Sequence, residues 1–460
     1  MALIDRIVSK LSKPLVNGNV LKPGVYHYAS GSEHKNKRIH LRIEPDGSGI
    51  LIINANQLLH LNQTATCLAY YHLEKIDPKE ILKVMSRDFR TNKKQLVKDY
   101  EDFVTQISQL IDPNSSACPI CDLGIETTMP FSHVPSAPYR MDLAITYRCN
   151  NDCPHCYNAR NRNHPELPYK DWEVILKHLW SLGIPHIVFT GGEPTLHADL
   201  SKLIHYSEEI GQITGLNTNG RRLKEKAFTR NLISAGLDHV QITLESQNKD
   251  IHDRMVNHPG AWAETVAGIK NAVDGNLYVM TNTTLLKDNS DTLPGLLDFL
   301  ASEGVKTVGL NALIYSGRGR TVGTGLSAEE LPDLLSIARE ITSKNDQRLI
   351  WYTPTQYCHF DPVQMELGVK GCTAALYNMC IEPDGNVIPC QSFYSPLGNI
   401  LKDSWESIWN HQLARELRER KKISAKCLNC AFITECGGGC PLASHVSEPN
   451  PEIITDSEFS

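Results

Sequence analysis

Three cysteines at C-x3-C-x2-C spacing, Cys149, Cys153 and Cys156, lie directly after the apolar run 141–147. Thiolates this close in sequence can hold one metal centre, and thiolate ligands favour zinc or iron–sulfur over harder cations. A structural zinc site needs a fourth protein ligand, for which His155 is a nominal candidate. A four-iron cluster held by three cysteines instead keeps one iron open. Spacing alone leaves both metal centres possible.

With His155 just before the last cysteine, this loop resembles the signature of radical S-adenosylmethionine (SAM) enzymes. A second motif supports the resemblance. About forty residues on, after an apolar strand, the chain reads Gly191-Gly192-Glu193-Pro194, and glycines let a backbone approach a ligand closely. This resembles the element that binds the methionyl amino group of SAM in that family.

Other segments at predicted strand ends match the family in order. Asn217–Gly220 looks like its third-strand element, and Thr243–Ser246 corresponds to a fourth-strand element near the ribose, with Thr and Glu where Ser and Asp are commoner. Segments 282–285 and 308–313 correspond to the fifth and sixth. Each alone can be a polar residue that caps a strand, but together they favour iron–sulfur over zinc. The resemblance implies these cofactor-binding residues: Gly191, Gly192, Glu193, Pro194, Asn219, Thr243 and Glu245.

The resemblance also implies the chemistry. A [4Fe–4S] cluster on the three cysteines would chelate SAM, and one electron would cleave SAM to a 5′-deoxyadenosyl radical that abstracts hydrogen from the substrate. The electron would come from a donor such as ferredoxin or flavodoxin. The protein supplies placement and exclusion of water. No acid or base residue is identified, and Gly317–Arg320 either anchors a carboxylate or forms an exposed loop.

The C-terminal cysteines resemble the SPASM extension of radical SAM enzymes, which carries auxiliary iron–sulfur clusters. Carried over by position, the ligands of the first auxiliary cluster are Cys372, Cys380, Cys390 and Cys440. The second would use Cys427, Cys430 and Cys436. The family's last cysteine is missing after Cys440, which leaves His445, Asp456, Cys358 or an open iron for the fourth position. Zinc at the C-x2-C half is the alternative.

Alternating strands and helices between 139 and 325 predict an α/β fold, a partial (β/α)6 TIM-type barrel. Catalytic groups belong at the carboxyl ends of its strands. The predicted strands are 141–147, 187–190, 213–217, 239–244, 277–285 and 305–312. Predicted helices between them include 171–182, 224–235 and 263–273.

The N-terminal segment predicts a winged-helix-like α+β domain. Two strands flank the Asp46-Gly47 turn, and helices follow at 58–70, from Asp77-Pro78 to Phe89, and at 93–111. Leu61–Ala65 and Asp77–Ile81 look like PqqD-like peptide-recognition domains, which bind a leader peptide as an added strand. Seven basic residues between Lys79 and Lys98 could instead face DNA, but the acidic residues among them favour solvated helix faces.

These patterns predict six segments. They are an N-terminal extension (1–38), the peptide-recognition domain (39–112), a linker with Cys118-Pro-Ile-Cys121 (113–138), the radical SAM core (139–325), a connecting segment (326–366) and the SPASM domain (367–460). The linker cysteines fit half a zinc knuckle, a redox pair or two idle thiols.

Composition agrees with this division. A chain of 460 residues exceeds one core. The net charge of −6 gives no reason to expect nucleic acid or an anionic membrane as a partner, and there is no apolar run of membrane-spanning length or signal peptide. Fourteen cysteines in a chain without an export signal favour metal ligation in a reducing cytoplasm over disulfides.

The expected function is therefore post-translational modification of a ribosomally synthesised precursor peptide by crosslinking, epimerisation or oxidation. One alternative keeps the core but acts on a small molecule or protein, as in haem-precursor processing or sulfatase maturation. A third hypothesis is a redox-responsive winged-helix DNA-binding regulator.

Overall fold

The computed structural model describes residues 21–30, 37–53, 57–88, 93–111 and 135–443. Predictions about the linker cysteines Cys118 and Cys121, and about His445 and Asp456, lie outside these ranges. The chain divides into two compact units. One comprises Met1–Ser136 with His178–Pro185, and the other comprises Ala137–Lys177 with His186–Ser460.

The first unit contains an antiparallel sheet followed by three helices. The strand order is β1-β2-β3-β4. Side chains alternate across a strand, so Ile39, Leu41 and Ile43 share one face and pack in a buried cluster that also contains Leu68 and Ile81 from the helices. The strands are Gly24–Ser30 (β1), Lys37–Ile43 (β2), Gly49–Ile53 (β3) and Gln57–Leu61 (β4), and the helices are Gln63–Leu73, Pro78–Asp88 and Lys93–Ile111.

The predicted helix over 58–70 is wrong at its start. Residues up to Leu61 form β4, which pairs with β3, and the helix begins at Gln63. The Asn62 side chain accepts a hydrogen bond from the Ala65 N–H at 2.9 Å and so caps the helix. Short apolar runs fit helical and strand periods alike, which explains the error. β1 was not predicted.

The second unit is built on one sheet with the order β11-β10-β9-β8-β7-β6-β5-β12-β13-β14. Strands β5 to β10 are all parallel, which confirms the predicted α/β partial barrel. β11 extends it beside β10, and β12 pairs with β5. The bounds are Arg140–Thr146 (β5), His186–Gly191 (β6), Ile213–Thr218 (β7), His239–Thr243 (β8), Tyr278–Thr284 (β9), Thr307–Asn311 (β10), Arg348–Trp351 (β11), Asn378–Ile381 (β12), Asn386–Ile388 (β13) and Gly398–Asn399 (β14).

Helices follow the parallel strands as the periodicity predicts. They span Tyr169–Ser181, Leu200–Glu209, Lys226–Ser234, Lys249–Met255, Ala261–Asp274, Leu293–Ser302 and Leu331–Lys344. The carboxyl ends of the parallel strands lie at one edge of the sheet, so the loops after them can converge. None of the helices in the described ranges combines the length and apolar content needed to cross a membrane.

The C-terminal part is a hairpin followed by short helices. β12 and β13 flank a turn in which Gly385 has φ of +88°. Two helices follow, Trp405–Trp409 and Gln412–Arg418. They are separate because the His411 side chain accepts the Leu413 N–H at 3.2 Å and so caps the start of the second helix. A last short helix spans Ile433–Cys436.

Candidate active site

The three cysteines of the C-x3-C-x2-C motif lie on one loop after β5. Cys149, Cys153 and Cys156 are free and half-buried. Burial raises the pKa of the Cys149 thiol to about 11. Burial also raises the pKa of Cys153, and the neighbouring thiols of Cys156 and Cys149 add to that rise. Neighbouring buried thiols fit a shared metal centre, because a bound metal supplies the positive charge that buried thiolates need.

Arg221 holds this loop from the end of β7. Its buried guanidinium donates to the carbonyl oxygen of Asn150 at 2.6 Å and to Oδ1 of Asn151 at 2.8 Å. Its Nε lies 2.6 Å from Oε2 of Glu264, which balances the charge. Asn219, a predicted site residue, donates to Oδ1 of Asn150 at 2.7 Å. Arg221 was not predicted, although its position two residues after Asn219 marks it.

Gly191 is the last residue of β6, and Gly192 follows it. Glycines are needed here because the backbone lies directly against the end of β5. Gly191 has φ of +139°, and a Cβ there would overlap the Thr146 carbonyl oxygen. A Cβ on Gly192 would lie 2.5 Å from the carbonyl oxygens of Tyr147 and Arg148. The Gly192 N–H instead donates to the Thr146 carbonyl at 2.8 Å. These glycines therefore permit the close contact with the three-cysteine loop, and their contact with SAM stays a prediction.

Glu193 is buried, and both carboxylate oxygens accept hydrogen bonds within the protein. Oε1 accepts from the Thr195 and Thr218 hydroxyls, each at 2.6 Å. Oε2 accepts from the Asn219 N–H at 2.8 Å. Burial raises the pKa of Glu193, although these hydrogen bonds oppose the rise. The side chain thus ties the end of β6 to the end of β7, next to the buried Pro194, while its predicted contact with SAM remains to be tested.

Glu245 connects the three-cysteine loop to the ends of β8 and β9. Its Oε1 lies 3.1 Å from Nε2 of His155, and its Oε2 accepts from the Thr284 N–H at 2.9 Å. His155 is thus turned toward a carboxylate. Thr243, also predicted, ends β8 half-buried, paired with Asn282 in register. The ribose contact predicted for Thr243 and Glu245 stays a prediction.

The loop 317–320 closes on the three-cysteine loop. Nη1 of Arg318 lies 2.8 Å from Oδ1 of Asp152, and the Gly319 N–H donates to the Cys156 carbonyl oxygen at 3.3 Å. The hydrogen bond from Arg318 lowers the pKa of the Asp152 carboxyl. The carboxylate that Arg318 binds in this structure is therefore one of this chain.

The segment after the three cysteines contacts the C-terminal hairpin. Arg160 forms a fork with the buried Glu382, with Nε to Oε1 at 2.7 Å and Nη2 to Oε2 at 3.0 Å. The Tyr147 hydroxyl donates to the same carboxylate at 3.1 Å. The Tyr157 hydroxyl donates to Oε1 of Gln391 at 3.2 Å. Sequence patterns gave no signal for these contacts, which fix the C-terminal cysteines relative to the first three.

The cysteines of the first predicted C-terminal ligand set influence one another electrostatically. Burial raises the pKa of Cys390, and the neighbouring thiols of Cys372 and Cys440 add to the rise. Burial also raises the pKa of Cys440, to about 12. Cys380 is fully buried in β12 and interacts electrostatically with Cys390. The residues fit a shared thiophilic centre, and their ligand roles stay predictions.

The second predicted set occupies consecutive turns. The Cys430 N–H donates to the carbonyl oxygen of Cys427 at 3.1 Å, and Cys436 ends the short helix that follows. Within the described ranges no three His, Cys, Asp or Glu side chains are gathered as ligands of a single metal ion. A four-iron cluster spaces its thiolates more widely than one zinc ion does, because each sulfur binds a different iron.

Two protein families match the chain. The radical SAM superfamily matches residues 143–300, which begin in β5 and include the three-cysteine loop. The SPASM iron–sulfur cluster-binding domain matches residues 372–431.

Curated relatives share the larger part of the chain. A mycofactocin maturase of Mycolicibacterium smegmatis is 28% identical over 342 residues, which cover 69% of this chain and 83% of that protein. An AdoMet-dependent heme synthase of Oleidesulfovibrio alaskensis is 24% identical over 312 residues, which cover 64% of this chain and 80% of that protein.

Among solved structures, Streptococcus suis SuiB bound to its precursor peptide SuiA has a TM-score of 0.68 at 18% identity. The match covers 94% of this chain and 99% of that chain, so the two share a fold along almost their whole length.

Proposed function

The chain is a radical SAM enzyme with a C-terminal SPASM domain, and we propose that it modifies a ribosomally synthesised precursor peptide. Membership of these families implies SAM and iron–sulfur clusters as cofactors. When bound, they supply one-electron cleavage of SAM to a 5′-deoxyadenosyl radical able to abstract hydrogen. We place this chemistry at the carboxyl ends of the barrel strands, in the cytoplasm, with an electron donor such as ferredoxin or flavodoxin.

The residues of the site have separate tasks in this proposal. Cys149, Cys153 and Cys156 hold the first cluster. Arg221 and Glu245 fix the loop that carries these thiols at the carboxyl ends of the strands. The loop 317–320 holds the backbone of the same loop at Cys156 and the side chain of Asp152.

A peptide substrate is favoured by the fold that precedes the barrel. The likeness to SuiB with its precursor peptide extends over 94% of this chain, so it includes the sheet and three helices of the first unit. That sheet ends in β1 and β4, each of which pairs with one strand among the described residues. An extended leader peptide can add a strand at such an edge through main-chain hydrogen bonds. The maturase relative at 28% identity agrees with this assignment.

The second candidate is action on a small molecule, as in haem-precursor processing. The heme synthase, which is 24% identical over 64% of this chain, favours it. A leader-binding first unit has no task in that reaction. The DNA-binding hypothesis predicts salt-dependent duplex binding without SAM cleavage.

The test is anaerobic reconstitution followed by measurement of 5′-deoxyadenosine and of peptide mass. We expect SAM cleavage with a peptide encoded beside the gene, and a peptide of altered mass or altered stereochemistry. The same peptide without its leader is the matched control and should turn over much more slowly. Equal turnover of both peptides, or turnover of a porphyrin precursor alone, would contradict a leader-dependent maturase.

A further inference from the structure

A segment before the SPASM match lies directly against the last turns of the second C-terminal cysteine set. The Tyr357 N–H donates to Sγ of Cys436 at 3.4 Å, and that thiol lies 3.5 Å from the carbonyl oxygen of Thr355. The Gln356 side chain donates to the Gly438 carbonyl oxygen at 3.0 Å. Three consecutive residues thus contact the turn at 436–439, and the next residue in the chain is Cys358.

Glycines make this contact possible. Gly439 has φ of +79°, and a Cβ there would lie 2.7 Å from Cγ of Gln356. A Cβ on Gly438 would lie 4.0 Å from Sγ of Cys427, so the same turn also borders the first thiol of the set. The turn therefore has the segment that leads to Cys358 on one side and Cys427 on the other.

The four thiols also differ in their exposure to solvent. Cys436 is buried, Cys427 and Cys430 are half-buried and Cys358 is exposed, so the four thiols run from the interior to the surface.

We propose that Cys358 is the fourth thiolate of the second C-terminal iron–sulfur cluster, with Cys427, Cys430 and Cys436. The proposal rests on the cluster content proposed above. It assigns a ligand upstream of the residues 372–431 that match the SPASM domain, where sequence position alone gives no reason to choose it. Four thiolates complete a [4Fe–4S] cluster, so this cluster has no open iron for substrate. Metal binding releases the thiol proton of Cys358.

The test uses the full-length chain with Cys149, Cys153 and Cys156 changed to Ala, so that only C-terminal clusters contribute. Into this parent we introduce Cys358→Ala, Cys358→Ser and, as the matched control, His359→Ala, the exposed neighbour in the same segment. After anaerobic reconstitution, iron and sulfide per chain and the electron paramagnetic resonance spectrum of the reduced protein are measured. Circular dichroism checks folding.

We expect Cys358→Ala to lose at least about one iron per chain and one spectral component. Cys358→Ser retains an oxygen ligand and should keep more iron with a shifted spectrum, and His359→Ala should match the parent. The proposal is overturned if both Cys358 variants match the parent, or if only His445→Ala or Asp456→Asn loses the component. A parent without iron at the C-terminal cysteines contradicts the proposed cofactor content itself.

Discussion

The three-cysteine loop depends on a few buried side chains because residues 147–168 form no helix or strand. Buried backbone groups in such a loop need partners from elsewhere in the fold. Arg221 binds one such group, the carbonyl oxygen of Asn150, and also the side chain of Asn151, while Glu245 contacts the side chain of His155. At the scale of single residues, the shape of the metal site is therefore set by side chains that need not touch the metal.

Arg221→Ala should disturb the position of the three-cysteine loop more than the same substitution of an exposed arginine does. A hydrogen bond that involves a charged group contributes about 1.5–3 kcal/mol, so losing the contacts to Asn150 and Asn151 should lower SAM cleavage about 10- to 100-fold. The measurement is the initial rate of 5′-deoxyadenosine formation, with iron content in parallel. The exposed Arg230→Ala, on the helix after β7, is the control and should retain the parent rate. Equal rates for both variants would show that Arg221 does not hold the loop.

His239 gives the fold a specific acid sensitivity. Burial lowers its pKa from 6.5 to about 4, with Arg140 adding to the effect, and its Nε2 lies 2.9 Å from Nε2 of His186. Between these two pH values the unfolded chain binds the proton and the folded chain does not. The free energy of unfolding therefore falls as the pH drops from 6.5 toward 4, by roughly 3 kcal/mol in total.

His239→Gln should flatten that dependence. The measurement is the urea midpoint at several pH values between 4 and 7. His205→Gln, whose side chain is 63% exposed, is the matched control and should keep the parent slope. A His239 variant with an unchanged slope would assign the acid sensitivity to other groups.

At the scale of elements, the end of β6 lies so close to β5 that there is no room for a Cβ atom at Gly191. Gly191→Ala places a Cβ against the Thr146 carbonyl in a backbone conformation that favours glycine, so the end of β6 must shift. We expect more than a tenfold loss of SAM cleavage and reduced iron at the first cluster, measured on the reconstituted protein.

Gly323→Ala separates the effect of backbone strain from the effect of the contact with Thr146. Gly323 also has positive φ, +75°, but a Cβ there meets no atom within 4 Å. The Gly323→Ala change should therefore lower the free energy of unfolding only by the backbone strain, about 1 kcal/mol, and leave SAM cleavage near the parent value. If both glycine variants lost activity equally, strain and not the contact with Thr146 would explain the effect.

The sequence predicted the parallel strands well because each apolar run is short, bounded by turn residues and separated by an amphipathic helix. It predicted the C-x3-C-x2-C and Gly-Gly-Glu motifs because their residues are adjacent in the chain. It missed β4, where Leu58 and Leu61 fit a helical spacing and Leu59 and Leu61 fit the alternation of a strand. It also missed Arg221 and Glu382, since their partners are decided by tertiary contacts that no local pattern encodes.

At the scale of the whole molecule, the chain after β11 returns to the sheet and places Cys380 on a strand beside β5, the strand that precedes the three-cysteine loop. β12 pairs with β5 with Cys380 opposite Asp142. The fork between Arg160 and Glu382 joins the three-cysteine loop to the same hairpin. The position of the C-terminal hairpin relative to the three-cysteine loop therefore depends on this buried connection.

Glu382→Gln should weaken that connection, because it leaves the guanidinium of Arg160, which is 18% exposed, without its charge partner. Removing one partner of a buried ion pair costs about 3 kcal/mol. The control is Glu366→Gln, since Glu366 pairs with Arg339 at the surface and is 77% exposed, and such pairs contribute about 1 kcal/mol or less. Urea midpoints of the anaerobic proteins should fall clearly for the first variant and barely for the second. If the two variants fell equally, the fork between Arg160 and Glu382 would contribute no more than a surface pair, and the arrangement of the clusters would rest on the pairing of β12 with β5.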